Sequence, residues 1–282
     1  IIWVNSLETA YNPCVAGDTL VLTDKGYRRI RDLKPSTLIL DPRFGKGSKG
    51  DTSERGGFMT APSKQLYMLR THEGYSVECT EDHEIMTQRG WVEARDLVAG
   101  DLIHVANARG VESFGDKYTQ EQGLLLGWLL GDGCVVSPTQ GRLYFYGAKR
   151  RLVSMFEQVT GCSAHVQEVY DRAYIDFPLS VLANIKDTWN TETKRVLPDA
   201  IYEGSGAFLS AFLRALFSAD GSVQGDSSKG LSVRLTQAHL PLLQVVQRVL
   251  LQFGIFGKMY ENRRPKGTAQ LPDGKGGLAE YP

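Results

Sequence analysis

The 282-residue sequence has no excess of charge of either sign: 32 Lys and Arg balance 32 Asp and Glu. A nucleic-acid-binding role is compatible with such a chain only if its basic residues gather on one face. It has no apolar run approaching the length of a membrane span, and its N-terminus lacks the layout of a signal peptide. A membrane partner is therefore not expected, and a cytoplasmic setting is. The four cysteines, Cys14, Cys79, Cys134 and Cys162, contain no Cys-x-x-Cys pair, which argues against a zinc site and a disulfide framework. No His-Asn dipeptide occurs, and the last histidine is His239. With 42% hydrophobic and 23% charged residues, the composition is that of an ordinary soluble globular protein, long enough for two domains.

Two stretches stand out against that background. Leu125–Gly133 reads LLGWLLGDG and Leu213–Gly221 reads LRALFSADG, each an apolar run ending in a small residue, Asp and Gly. Gly127 and Gly131 lie four residues apart, as do Ala215 and Ala219, so each pair shares one face of a helix. Two such helices can approach backbone to backbone and present Asp132 and Asp220 together at one end. Paired carboxylates there suit a hard divalent cation, Mg²⁺ or Mn²⁺. The pair resembles the LAGLIDADG motif of homing endonucleases. The resemblance implies an α+β domain of pseudo-twofold αββαββα repeats, whose two sheets form a saddle over double-stranded DNA. It also implies metal-dependent cleavage with Asp132 and Asp220 as catalytic and metal-binding residues.

The N-terminal part has a different rhythm. Thr19–Leu22, Tyr27–Ile30, Leu66–Thr71, Tyr75–Thr80 and Trp91–Ala94 are short β-rich runs punctuated by Asp24-Lys25-Gly26, His72-Glu73-Gly74 and Gln88-Arg89-Gly90. This predicts an all-β half, with Arg43–Pro62 as a loop. Cys14, followed by Gly17-Asp18-Thr19, and the later Thr80-Glu81-Asp82-His83 resemble the two N-terminal splicing blocks of inteins, members of the Hint superfamily. The residue types suit the chemistry that the resemblance implies. A thiolate is a good nucleophile, so Cys14 can attack the carbonyl of Pro13 and move the peptide bond onto sulfur. The leaving nitrogen needs a proton, for which His83 is the candidate donor, with Thr80 holding the scissile amide.

From about Tyr118 the period lengthens. Thr119 with Gln122 predicts a capped helix start. Strand pairs are expected at Cys134–Ser137 with Arg142–Tyr146, Ala164–Val169 with Ala173–Phe177, and Ser222–Gln224 with Leu231–Gln237. Helices are expected over Lys149–Val159, Leu179–Trp189 and Leu240–Phe253, a strand over Ile255–Tyr260, and a loop thereafter. Candidate DNA contacts on the two sheets are Arg142, Tyr144, Tyr146, Arg234 and Gln237, with Lys149, Arg150, Lys229 and Lys258 near the edges. Arg and Gln can read bases bidentately, and Lys mostly meets phosphate. The family resemblance further implies a basic residue before the second motif. Arg195 of Lys194-Arg195-Val196-Leu197-Pro198 stands there, beside Lys194; a guanidinium can stabilise charge but does not readily lose a proton.

The expected organisation is thus multidomain: an N-extein segment at 1–13, an all-β Hint splicing domain at 14–107, and the LAGLIDADG domain at 118–282. The boundary falls between Asn107 and Lys117. Without a terminal His-Asn, the chain is expected to be a precursor fragment, its host extein attached in cis, acting as a monomer. Asn12-Pro13 before the cysteine resembles an insertion site in ribonucleotide reductases. Two other functions stay open: a DNA-binding protein of the same fold without catalysis, and an inactive relic.

Overall fold

A computed structural model describes residues 14–34, 37, 39, 65–105, 113–188, 198–226, 228, 230–261, 269–272 and 278–281. The expected extein segment, most of the Arg43–Pro62 loop region, and the positions Lys194, Arg195 and Lys229 lie outside these residues. The chain divides into two compact units, residues 1–116 with 245–260 and residues 117–244 with 261–282.

In the first unit six short strands form three antiparallel hairpins. They are β1 (Leu20–Thr23) with β2 (Gly26–Arg29), β3 (Tyr67–Arg70) with β4 (Ser76–Cys79), and β5 (Glu84–Thr87) with β6 (Gly90–Glu93). The first and third are built alike, 64 residues apart. Thr23 accepts from the Lys25 amide and donates to the Gly26 carbonyl, and Thr87 does the same with Arg89 and Gly90. A 3₁₀ turn follows each, at Ile30–Asp32 and Ala94–Asp96, and Thr23 and Thr87 bridge back to Ile39 and Ile103. The sequence signature is Thr-x-x-Gly followed by Arg-Asp-Leu. Gly26 and Gly90 hold φ near +90°, which side-chain-bearing residues adopt only with strain.

Residues 245–260 also belong to this unit, so helical residues join its strands. Gln247 donates to the carbonyls of Glu73 and Gly257, the Met259 amide donates to Glu73, and Phe114 packs on Phe253 at 4.9 Å. Ile255–Tyr260, expected as a strand, makes no strand pairing. Its backbone contact is the single Met259–Glu73 bond rather than a ladder.

The second unit contains α1 (Gln120–Asp132), β7 (Gly133–Ser137), β8 (Gln140–Tyr146), α2 (Val153–Thr160), β9 (His165–Gln167), β10 (Arg172–Pro178), α3 (Pro198–Ile201) and α4 (Gly206–Asp220). After these come β11 (Gly221–Asp226), β12 (Gly230–Leu235), α5 (Leu240–Gln252, shared with the first unit), β13 (Ala269–Pro272) and β14 (Leu278–Tyr281). The first four strands form one antiparallel sheet in the order β7-β8-β10-β9; β11-β12 and β13-β14 are separate hairpins. The β13-β14 hairpin falls where a loop was expected, because glycine and proline around it hide the alternation. The helix expected over Leu179–Trp189 is a 3₁₀ run, Leu179–Thr188, that follows Pro178 at the strand's end directly, leaving no room for a capped α-helical first turn.

Both motif helices start at capped, tethered ends. Thr119 and Gln122 form the expected reciprocal capping box on α1. Ser205 accepts from the Phe208 amide to cap α4, while its hydroxyl donates to the carbonyl of Tyr118. From there the two helices run in backbone contact. A Cβ built on Gly123 would lie 2.2 Å from the Phe208 carbonyl oxygen, one on Gly127 2.4 Å from that of Phe212, and one on Gly131 2.5 Å from the Ala219 Cβ. The α1 face opposite this seam buries Trp128 against Phe145 and Phe156, at centroid distances of 5.0 and 4.9 Å, and its indole N–H donates to the Tyr144 carbonyl. Packed on both sides, α1 is apolar nearly all round.

The seam yields a stability prediction. Gly131→Ala should destabilise the protein by about 1–3 kcal/mol through overpacking. Adding Ala219→Gly should recover part of that loss, because the two methyl groups collide with each other. Urea denaturation of the two single variants and the double variant checks this, and additive losses would contradict the contact.

Candidate active site

Each motif helix ends on its aspartate, and a strand begins at the next residue. The glycines at this junction are steric necessities. A Cβ on Gly133 would meet Leu129 Cα at 2.6 Å, and one on Gly221 would meet the Phe217 carbonyl at 2.3 Å. A Cβ on Gly131 would lie 3.2 Å from a carboxylate oxygen of Asp220, so the carboxylate of one helix sits against the last turn of the other.

Two carboxylates at helix C-termini oppose the negative ends of both macrodipoles. The side chain that answers this is Lys149. Its ammonium donates to the Asp132 carboxylate on α1 and, at 2.6 Å, to the Ala219 carbonyl on α4. At the corresponding place in the second half, Gln237 donates its amide to Asp220. Lys149 and Gln237 each stand 17 residues after their aspartate. Both were expected to contact DNA from the sheets; instead each reaches back to a motif carboxylate, because its strand pair returns the chain to the helix end.

This donor set suits a divalent cation. Mg²⁺ commonly takes one or two carboxylates and fills its shell with water and phosphate oxygens. Here a carboxylate and a main-chain carbonyl already hold a cationic head between the helices. Among the described residues no group of three or more His, Cys, Asp or Glu is placed to hold a metal. The protein therefore offers these two carboxylates, with further ligands left to water and substrate.

The outer face of the four-stranded sheet is a lattice of cations and rings. In β8, Leu143 and Phe145 are buried while Arg142, Tyr144 and Tyr146 face the other way; in β10, Ala173, Ile175 and Phe177 are buried and Arg172, Tyr174 and Asp176 alternate with them. The register sets Arg142 opposite Asp176, Tyr144 opposite Tyr174, and Tyr146 opposite Arg172. Arg142 donates to both Asp176 oxygens, at 2.5 and 2.7 Å, and lies 4.2 Å from the Tyr174 ring centre. That pairing holds the Asp176 carboxyl below its ordinary range. The guanidinium expected to read a base is thus committed internally. Arg150 is likewise engaged, with Glu168 and Asp171 at 2.7 and 3.0 Å.

Arg172, Tyr174 and His165 belong to this face although the sequence reading did not single them out. Arg172 lies 5.7 Å from the Tyr144 ring, and His165 stacks on Tyr174 at 4.9 Å. Their signal was the alternation of Arg172-Ala173-Tyr174-Ile175-Asp176, which repeats that of β8. In the second half Arg234 donates to Ser232 and Gln224 on the outer face of β11-β12. The opposite face, with Leu231 71% and Val233 67% exposed, is open, whereas Leu143 and Phe145, 88 residues earlier, are fully buried. Lys258 lies on neither sheet: it is in the first unit, 2.9 Å from a ring nitrogen of His72 and 5.2 Å from the Tyr260 ring centre.

In the first unit the structure brings Cys14 and Thr80 together. The Thr80 hydroxyl oxygen accepts from the Cys14 amide at 2.9 Å, and the Thr80 amide donates to the Cys14 carbonyl at 2.8 Å. The amide so held is the nitrogen that joins Cys14 to residue 13. His83 closes the turn through its own amide to the Thr80 carbonyl at 3.2 Å. Its ring is buried, and neither ring nitrogen has a hydrogen-bond partner among the described residues. Burial pushes the imidazole down to about 4, against an opposing pull from Asp82, so the ring is neutral near pH 7. Cys79, next to Thr80, is pushed up to about 11 by burial and by Asp82, and stays a thiol.

Comparison with known proteins adds the following. Residues 207–273, from α4 to the end of β13, match a LAGLIDADG-like domain. The alpha chain of the ribonucleoside-diphosphate reductase NrdEB of Bacillus subtilis is 30% identical over 96% of this chain and 28% of its own length. The GyrA-type chain of DNA gyrase from Mycobacterium kansasii is 24% identical over 91% of this chain and 51% of that protein. Protein RecA of Mycobacterium tuberculosis is 30% identical over 68% of this chain and 26% of that protein. The chain thus spans between about a quarter and a half of these relatives. No helix among the described residues is long and apolar enough to cross a membrane.

Proposed function

We propose that this chain is an inserted module combining a DNA endonuclease of LAGLIDADG type with an N-terminal autocatalytic splicing domain of Hint type. The observation that carries the nuclease reading is the meeting of two carboxylate-terminated helices, Asp132 and Asp220, in backbone contact, with a cation already between them. The LAGLIDADG-like match over the second half supports it. The relatives support the insertion: a reductase, a gyrase and a recombination protein share no activity, yet each resembles most of this one chain. The proposed parts are the extein segment 1–13, with a ribonucleotide reductase as host, the splicing domain 14–107, and the nuclease domain 118–282.

In the nuclease, Asp132 and Asp220 provide the oxygen ligands at the helix ends, and substrate phosphates fill the remaining places. A divalent ion held there supplies Lewis-acid charge and lowers the pKa of water. Tyr144, Tyr146, Arg172, Tyr174 and Arg234 offer rings and donors to the duplex; Lys194, Arg195 and Lys229 are further basic candidates by sequence. If so, Asp132→Asn and Asp220→Asn should each reduce double-strand cleavage to background. DNA affinity, carried by phosphate contacts, should change by less than about 1 kcal/mol. Cleavage assays beside filter binding on the complete gene product test this, and a variant that binds and still cuts would refute the role of that carboxylate. Retained binding with no metal-dependent cleavage by the wild type would favour the DNA-binding alternative.

In the splicing domain, Thr80 holds the Cys14 amide nitrogen while the Cys14 thiolate attacks the preceding carbonyl. The acyl group moves from nitrogen to sulfur, and the nitrogen gains a proton for which His83 is the nearby candidate. An added thiol should then release residues 1–13. Mass spectrometry should find this release lost in Cys14→Ala and slowed in His83→Ala, and equal release from wild type and Cys14→Ala would exclude the acyl shift.

A further inference from the structure

We infer that Lys149 is an internal counter-ion that competes with the divalent metal for Asp132, so that the free protein binds metal more weakly than its two carboxylates alone would. The inference rests on the reading of Asp132 and Asp220 as the metal ligands.

Three observations carry it. The ammonium of Lys149 contacts a carboxylate oxygen of Asp132 and the carbonyl of Ala219, one from each motif helix. An ammonium has three donors and no acceptor, so it can only compete with another cation for those oxygens. The residue at the same 17-residue offset in the second half, Gln237, meets its aspartate with a neutral amide. The repeat therefore contains both forms of the arrangement, one with a built-in charge and one without. Finally, the Lys149 side chain is about one-third exposed, so its head can turn towards solvent when displaced. With Lys149 present the three side chains carry one net negative charge, and without it two. Affinity of oxygen-ligand sites rises with the charge they present.

The test is Mn²⁺ binding to the DNA-free full chain, read from the loss of the free-ion electron paramagnetic resonance signal. Lys149→Gln, which copies the Gln237 arrangement, should bind Mn²⁺ about tenfold tighter than wild type, from the added unit of ligand charge. Lys149→Arg keeps the charge and should stay near the wild-type value. Binding by Lys149→Gln equal to or weaker than wild type would overturn the inference. Asp132→Asn in the Lys149→Gln background separates it from its premise. If that double variant binds as tightly as Lys149→Gln, Asp132 is no ligand and the metal-site reading itself fails. A second readout does not depend on the charge-removing variant folding. In ¹⁵N-lysine-labelled protein, with Lys149→Arg to assign the signal, the Lys149 ammonium resonance should shift on adding Mg²⁺. A resonance unmoved at saturating Mg²⁺ would equally overturn the proposal.

Discussion

The contact on which the second unit depends is the seam where α1 lies backbone to backbone on α4. Gly123, Gly127 and Gly131 leave no space between the helices: their missing side chains would strike carbonyl oxygens of Phe208 and Phe212 and the methyl of Ala219. Because the seam fixes the helices along their length, it also fixes where they end. Asp132 and Asp220 inherit their proximity from glycines one to three turns away, and β7 and β11 start directly from those ends. Trp128, packed on the far side of α1, ties the same helix to the four-stranded sheet. A change in the seam would therefore move the carboxylates and the sheet face together.

That geometry creates an electrostatic problem that the chain partly solves. Both aspartates sit at the negative ends of helix dipoles and face each other across the seam. Lys149 and Gln237 answer with opposite chemistry at equivalent places, one cationic and one neutral. The halves differ elsewhere too. The first builds a four-stranded sheet with a buried inner face, whereas the second forms a two-stranded hairpin with Leu231 and Val233 exposed. The repeat is thus close at the helix ends and looser away from them.

Local periodicity made much of this legible in the sequence. The four-residue spacing of small residues predicted the seam, and Thr119 with Gln122 predicted the cap. Cross-strand partnership was not legible, since it depends on register. Arg142 looked free until β8 and β10 aligned it with Asp176, and Lys149 looked like a phosphate contact until its strand pair returned it to Asp132. Similarly, the bond from the Cys14 amide to Thr80 joins residues 66 apart, and only the resemblance of their two motifs hinted at it. The 3₁₀ character of Leu179–Thr188 and the grouping of residues 245–260 with the first unit arise from packing that periodicity does not encode.

The central claim is that Asp132 and Asp220 serve one metal centre. Iron(II) in place of magnesium, with ascorbate and peroxide, generates hydroxyl radicals that cut the polypeptide beside the bound ion. Mass spectrometry of the fragments locates the cuts. The account predicts scission near both Asp132 and Asp220, suppressed by excess Mg²⁺. Cuts confined to one of the two helices, or clustered elsewhere in the chain, would contradict it.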